Sequence, residues 1–128
     1  MIDNRYAWTS MIRVVTSTHH VKRCNIKPQD TSLPSGQVPF DTSDMTYKGQ
    51  TEQVLTLLDD ILKEAGSCKQ NILKVCSYLR SIDEGADGYN KAWDAWVDQQ
   101  NLPVRTTIEA KLMRPDFLVE IDLIAAVL

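Results

Sequence analysis

The sequence contains no long apolar run and no excess of basic residues. No uninterrupted apolar segment approaches the roughly 20 residues that a membrane-spanning helix requires, so we expect no membrane span. The first residues show no basic stretch followed by an apolar core, which argues against a secretory signal. With 14 basic and 17 acidic side chains, the net charge of -3 argues against nucleic acid or an anionic membrane as the main partner.

Cysteine is scarce and no CxxC motif is present. The three cysteines, Cys24, Cys68 and Cys76, cannot all pair within one chain, so free thiols in a reducing compartment and a cytoplasmic location are expected. His19, His20 and Cys24 form the one cluster of metal-ligand type in the sequence. Because a fourth ligand is missing, we expect no metal site.

The residues that are present predict one domain, spanning 1–128, with 43% hydrophobic residues to form its core. A run of β-branched residues at 11–18 predicts a first strand, whereas two prolines and scattered charge at 19–34 predict an irregular loop insertion. Residues 35–40 resemble the end of a short strand closed by Pro39. The segment 71–80 predicts a further strand.

Two helices are predicted from apolar residues at helical spacing. The first begins near Thr51, or one turn earlier, and ends at Gly66; its apolar positions are Val54, Leu57, Leu58, Ile61, Leu62 and Ala65. Turn residues occupy 81–88. The second helix then carries Tyr89, Ala92, Trp93, Trp96 and Val97, of which we assign the tryptophans to the core.

Two closing strands are predicted on either side of a turn at 114–117, as a β-hairpin. The element order therefore predicts an α+β fold: a two-layer sandwich of a mixed β-sheet with two helices on one face. Several strand residues provide more apolar surface than two such helices would cover, so we expect an oligomer. They are Val75, Ile108, Val119, Ile121 and Leu123.

The closing strands carry polar residues at alternating positions. Arg105, Thr107 and Glu109 share one face of their strand, and Glu120 and Asp122 share a face of the next. Taken alone, Arg105 could be a surface arginine and Glu120 a solvated edge carboxylate. The sequence does not establish that the two polar faces meet.

Several motifs in a fixed order resemble the Rid (reactive intermediate deaminase) family, also called the YjgF or L-PSP endoribonuclease family, and most closely its YoaB branch. They are Ser35-Gly-Gln-Val-Pro39, the helix ending at Ala65-Gly66, the strand at 71–80, Asn90-Lys-Ala-Trp-Asp-Ala-Trp96, Pro103-Val-Arg105 and Val119-Glu-Ile121. The resemblance implies a chorismate-mutase-like fold and a homotrimer with sites in the clefts between subunits.

The resemblance also implies hydrolysis of reactive 2-imino and enamine acids to 2-oxo acids and ammonia, with no cofactor. Arg105 matches the family's arginine that binds the substrate carboxylate, and Glu120 matches the glutamate that positions water. Ser35 and Gly36 would line the pocket, although both could simply form a turn. Thr107 and Asn90 are further substrate-binding candidates, and Asn90 could instead be a helix N-cap.

One family feature is absent from the sequence. Many active members carry Gly-Pro-Tyr near the first strand, whose tyrosine helps to close the pocket, and in this chain Met11 or Ile12 stands near that place. Two alternative functions therefore stay open: a non-catalytic trimer that binds small carboxylates, and an RNA-cleaving translation inhibitor, as in the older family name.

Overall fold

The computed structural model describes residues 12–14 and 31–127. The element order is β1 (Ile12–Val14), β2 (Thr31–Pro34), α1 (Tyr47–Glu64), a short 3₁₀ turn (Lys69–Asn71), β3 (Ile72–Leu79), α2 (Ile82–Trp96), β4 (Val104–Glu109) and β5 (Val119–Ala126). The strands form one mixed sheet in the order β1-β2-β5-β3-β4; β3 and β4 run parallel, and the other described pairs run antiparallel. None of the described helices is long and apolar enough to span a bilayer.

Both helices pack on one face of the sheet, as the α+β prediction requires. The core between the layers contains α1 and α2 side chains such as Val54, Leu58 and Tyr89, packed on strand residues including Val75 and Ile121. We call this the helix-covered face and the opposite side the open face. Helix α1 ends at Glu64 with Ala65 as its C-cap, and Gly66 follows with a φ of 76°, a left-handed conformation that glycine adopts without steric cost.

Helix α1 begins at Tyr47, one turn before Thr51, which was the alternative start that the sequence left open. The Thr46 hydroxyl caps the helix by accepting a hydrogen bond from the Gly49 amide at 3.1 Å. Thr51 is fully buried, and its hydroxyl donates to the Tyr47 carbonyl. The capping position therefore belongs to Thr46.

The predicted turn at 81–88 is wrong, because α2 begins at Ile82 with Ser81 as its N-cap. The two glycines in this stretch indicated a turn, but they let α2 approach α1 closely. A Cβ atom on Gly85 would lie 2.4 Å from Cδ1 of Tyr47, and one on Gly88 would lie 3.0 Å from the Lys48 amide nitrogen. The close packing of α2 against α1 therefore requires glycine at both positions, and the local sequence pattern does not show this packing.

The predicted hairpin of the two closing strands is also wrong. Strand β3 lies between them: Val75 pairs with Arg105 of β4 on one side and with Leu123 of β5 on the other. Strand β4 follows α2 as a parallel crossover, which a strand–helix–strand unit favours. The connection from β4 to β5 therefore crosses the end of β3 instead of making a tight turn.

A buried glutamine fixes that connection. The side-chain amide of Gln50 on α1 donates to the carbonyls of Asp116, at 2.9 Å, and of Asp44, at 3.1 Å. Its carbonyl oxygen accepts from the Leu118 amide at 2.8 Å. Gln50 is fully buried, so these bonds satisfy backbone groups that water does not reach.

The predicted loop insertion at 19–34 is wrong at its end, because Thr31–Pro34 is strand β2, paired with β1 and β5. Residues 15–30 lie outside the described residues. The predicted first strand is described only at 12–14, where β1 lies. The segment 35–40 contributes one isolated bridge, between Gln37 and Ile121, instead of a regular strand end.

The apolar surface offered as the reason for an oligomer lies mostly inside the protomer. Val75, Val119, Ile121 and Leu123 are at most 2% exposed, since the helices cover them, whereas Ile108 on β4 is 46% exposed. The prediction that the two helices leave these strand residues uncovered was therefore wrong for four of the five. The homotrimer stays a prediction.

Candidate functional site on the two faces of the sheet

Arg105 lies on the helix-covered face, at the edge of the sheet that β4 forms. Its register partner is the buried Val75, and its guanidinium carbon lies 5.2 Å from the ring centre of Tyr89 and 5.1 Å from that of Trp93. Nη1 donates to Oδ1 of Asn90 at 3.2 Å. Cation–π contacts and this hydrogen bond orient a planar, permanently charged donor group that is exposed to solvent.

Helix α2 supplies the residues that hold Arg105. Tyr89 and Trp93 are one helical turn apart and so present both rings to the same strand. The Tyr89 hydroxyl forms a buried hydrogen bond with the Ser77 hydroxyl of β3, which fixes the ring. Asn90 is inside α2, so its interpretation as an N-cap is wrong. The assignment of Trp93 to the core is right but incomplete, because its ring also contacts the guanidinium.

Thr107 is two residues beyond Arg105 on the same face of β4. Its hydroxyl oxygen is buried and, among the residues that the structure describes, has no hydrogen-bond partner. A buried hydroxyl without a partner is costly, so this oxygen marks a position where a polar ligand atom would be favourable.

Glu120 lies on the open face of β5, opposite Tyr78 of β3. Gly36 approaches it so closely that a Cβ atom on this glycine would lie 2.3 Å from Oε1 of Glu120. The segment that carries Gly36 is anchored to β5, because Gln37 and Ile121 exchange backbone hydrogen bonds of 2.8 and 3.0 Å. Ser35, next to Gly36, is exposed, and its carbonyl accepts a bond from the Gln37 side chain.

The protonation of Glu120 is shifted by its surroundings. Partial burial, and secondarily the negative charge of Asp122, raise the pKa of Glu120 above its ordinary value of 4.5. Asp122 accepts a hydrogen bond from the Tyr78 hydroxyl at 2.9 Å. This bond, together with burial, raises the pKa of Tyr78 to about 12, so Tyr78 remains a neutral donor near neutral pH.

The six predicted site residues fall into two groups on opposite faces of the sheet. Asn90, Arg105 and Thr107 lie on the helix-covered side. Gly36 and Glu120 lie together on the open side, and Ser35 is next to Gly36 along the chain. The sheet separates Arg105 from Glu120 within one chain. Sequence reasoning did not identify Tyr89 as a partner of Arg105 or Tyr78 as a partner of Asp122; the four-residue spacing of Tyr89 and Trp93 was the available signal for the first.

No group of three or more potential metal-binding side chains occurs among the described residues. His19, His20 and Cys24, the incomplete cluster in the sequence, lie outside them. The described residues on the helix-covered side offer the guanidinium of Arg105, the amide of Asn90 and the hydroxyl of Thr107, whereas the open side offers the carboxylate of Glu120, which accepts hydrogen bonds.

Comparison with known proteins identifies relatives along most of the chain. The family model described as endoribonuclease L-PSP matches residues 13–127. A RutC family protein of Haemophilus influenzae is 44% identical over 91 residues, which cover 71% of this chain and 78% of that protein. The RutC family protein YoaB of Escherichia coli is 44% identical over 78 residues, covering 61% of this chain and 68% of YoaB.

The fold has the same relatives. A crystal structure of a YjgF family member from Neisseria meningitidis superposes with a TM-score of 0.74 and 33% identity, covering 91% of this chain and 95% of that one. Sequence and structure thus agree, and they confirm the resemblance drawn from the motifs. The chain belongs to the RutC family, which is also known as the YjgF or Rid family and whose family model carries the description endoribonuclease L-PSP.

Proposed function

We propose that this protein hydrolyses reactive 2-imino acids and their enamine forms, such as 2-iminobutanoate and 2-iminopropanoate, to 2-oxo acids and ammonia. The observation that carries the proposal is the orientation of Arg105. Its guanidinium contacts the rings of Tyr89 and Trp93, is bonded to Asn90, and shares its face of β4 with the buried hydroxyl of Thr107. Such a preorganised donor pair suits a carboxylate.

Arg105 would bind the substrate carboxylate through two parallel N–H donors. The aromatic contacts and the bond to Asn90 reduce the freedom that the side chain would otherwise lose on binding. Thr107 would offer its buried hydroxyl to a second polar atom of the substrate. The imine carbon, which is adjacent to the carboxylate, would thereby be held at a fixed distance from the anchor.

Glu120 would handle the protons of the hydrolysis. Its carboxylate accepts a proton from a water molecule whose oxygen attacks the imine carbon, giving a carbinolamine. That proton passes to the imine nitrogen, which becomes the amine of the carbinolamine. A second proton, from the carbinolamine hydroxyl, then passes through Glu120 to the same nitrogen, so that the C–N bond breaks, ammonia leaves and the C=O bond of the 2-oxo acid forms. A raised pKa brings a carboxylate closer to the working pH, which improves both transfers.

A complete site would need two copies of the chain. Because the sheet separates Arg105 from Glu120 in one protomer, the helix-covered edge of one copy would have to meet the open face of another. Such a heterologous contact closes into a ring when it repeats by rotation, and three copies would give three sites. This arrangement agrees with the homotrimer that the family resemblance implies.

A coupled assay tests the proposal. A pyridoxal-phosphate dehydratase would generate 2-iminobutanoate from threonine, and release of 2-oxobutanoate would be followed with and without this protein. We expect the wild type to accelerate release over spontaneous hydrolysis, Arg105→Ala to lose roughly 100-fold or more in kcat/KM, and the exposed Lys63→Ala variant to match the wild type. No acceleration by the wild type, or full activity of Arg105→Ala, would contradict the proposal.

A second candidate function is carboxylate binding without turnover. The Arg105 anchor would serve this role equally well, and the sequence lacks the Gly-Pro-Tyr motif of many active members. Saturable binding of 2-oxobutanoate in calorimetry, combined with no acceleration in the coupled assay, would favour it. RNA cleavage is supported by the family name alone. The net charge of -3 disfavours binding of a polyanion such as RNA.

A further inference from the structure

A tyrosine and a second carboxylate accompany Glu120 on the open face of the sheet. Asp122 follows Glu120 by two residues along β5, so both side chains point to the same face and their Cα atoms are about 7 Å apart. Tyr78 on β3 lies directly opposite Glu120 and donates its hydroxyl hydrogen to Oδ2 of Asp122 at 2.9 Å. The hydrogen bond therefore runs diagonally, from the residue opposite Glu120 to its next neighbour on the same face.

We propose that Tyr78 and Asp122 are a positioning pair, which fixes a negative charge beside Glu120 and thereby sets the pH range in which Glu120 exchanges protons. The significance of the pair for catalysis rests on the function proposed above. Neither residue would touch the substrate. Their effect would pass through Glu120.

The other described groups near Glu120 leave Asp122 as its main charged neighbour. From the flanking segment, Gly36 contributes no charge. The neighbouring strands contribute to this face Thr31 and Leu33 of β2, Lys74, Cys76 and Tyr78 of β3, and Val104, Thr106 and Ile108 of β4. Lys74 is the one cation among them, but it lies opposite Ile124, further along the sheet than Asp122. Burial and Asp122 are accordingly the two causes that raise the pKa of Glu120.

The hydroxyl of Tyr78 matters because it keeps the charge of Asp122 in place. A half-buried aspartate with a neutral donor at 2.9 Å retains its orientation, whereas one without that donor would turn towards water. With the charge in place, ionisation of Glu120 is disfavoured, so the carboxyl holds its proton to a higher pH. The tyrosine thus acts on Glu120 indirectly, by positioning Asp122.

Titration of Glu120 by NMR tests the inference without relying on activity. The full-length protein would carry ¹³C-labelled glutamate carboxyls, and the Glu120 signal would be assigned by its absence in Glu120→Gln. We expect Asp122→Asn to lower the titration midpoint of Glu120 by roughly 0.5 to 1 pH unit. Tyr78→Phe should lower it by less, and Asp122→Glu should restore most of the wild-type midpoint.

Asp60→Asn is the matched control, because it removes one exposed carboxylate from α1, away from the open face, and should leave the midpoint unchanged. An unchanged or raised midpoint in Asp122→Asn would overturn the inference. In the coupled assay, the acidic limb of kcat/KM should move to lower pH by the same amount. Failure of the proposed function has a different signature: the wild type would show no turnover, while the NMR titration would still decide on the positioning pair.

Discussion

At the scale of single residues, the neighbours of Arg105 restrict the orientation of its guanidinium. An exposed arginine at a sheet edge ordinarily samples many rotamers. In this protein two aromatic rings and one amide oxygen limit its orientation, so part of the entropy cost of binding a carboxylate is met before the ligand arrives. A positive charge alone would not reproduce this geometry, because lysine provides neither a planar fork nor the same stacking.

Arg105→Lys should therefore raise KM by about tenfold or more while lowering kcat to a smaller extent. The arginine binds the substrate carboxylate in both the ground state and the transition state. Loss of the two-pronged guanidinium contact therefore weakens binding throughout the reaction. Steady-state kinetics in the coupled assay would measure both constants, with Lys63→Ala as the control. An unchanged KM would show that a point charge is enough and that the stacked geometry has no role.

Glu120 should affect stability in a direction opposite to its effect on activity. Since its pKa is raised in the folded protein, its ionised form disfavours folding at pH 7. Glu120→Gln should abolish turnover and yet raise Tm at pH 7. The gain should shrink as the pH falls through the raised pKa of Glu120 and vanish below about 4, where the carboxyl is protonated in both states.

Differential scanning fluorimetry between pH 4 and 8 would measure this gap, with Glu64→Gln, an exposed residue at the end of α1, as the control for loss of a surface carboxylate. A lower Tm of Glu120→Gln at pH 7 would mean that the folded state stabilises the ionised carboxylate, which a raised pKa of Glu120 does not allow.

At the scale of elements, the two helices and the strand at 72–79 were predictable because their apolar periodicity is regular. The start of α2 was not, since Gly85 and Gly88 lie in its first turns, and a glycine that accommodates a neighbouring helix looks in sequence like a turn residue. The hairpin was predicted wrongly for a related reason. Two strands separated by a turn motif ordinarily pair, and only the parallel crossover through α2 places β3 between them.

Contact between Gly85 and the ring of Tyr47 can be tested directly. Gly85→Ala should lower the free energy of unfolding by about 1–3 kcal/mol, although alanine favours helix formation, because the added Cβ would lie 2.4 Å from the ring. Asp87→Ala, an exposed position on the same helix, is the control. Denaturant unfolding that shows Gly85→Ala to be as stable as the wild type would indicate that α1 and α2 adjust freely.

Gln50 should contribute more to the free energy of unfolding than a glutamine ordinarily does. Gln50→Leu keeps a similar volume but leaves the Leu118 amide and two backbone carbonyls without their partner, so the expected loss is at least about 2 kcal/mol. Gln99→Leu, at an exposed position, is the matched control. Equal stability of the two variants in denaturant unfolding would show that the connection from β4 to β5 does not depend on Gln50.

At the scale of the whole molecule, the separation of Arg105 from Glu120 is what the sequence could not reveal. The alternation of residues correctly predicted which residues share a face within each strand, and the motifs correctly indicated the family. Whether the polar faces of two strands coincide depends on the register with β3, which no local pattern contains. A site divided between two faces requires a second copy, so assembly is the condition for the proposed chemistry.

Native mass spectrometry should therefore give a mass three times that of the 14.5 kDa chain. The exposed Ile108 and Val104 side chains on the open face of β4 would be covered in such a trimer. Ile108→Lys should shift the protein towards smaller species, with Lys63→Ala as the control. A stable monomer at micromolar concentration that retains full activity would remove the need for a divided site.

The most direct test of a divided site is complementation between two inactive variants. Arg105→Ala and Glu120→Gln would be mixed in equal amounts, exchanged by mild denaturation and refolding, and measured in the coupled assay. In a ring where each cleft takes Arg105 from one copy and Glu120 from the next, about one cleft in four should contain both native residues, so activity should return to roughly a quarter of the wild-type value. If the mixture stays as inactive as each variant refolded alone, although native mass spectrometry shows mixed trimers, then Arg105 and Glu120 do not meet across subunits and the proposed site is wrong.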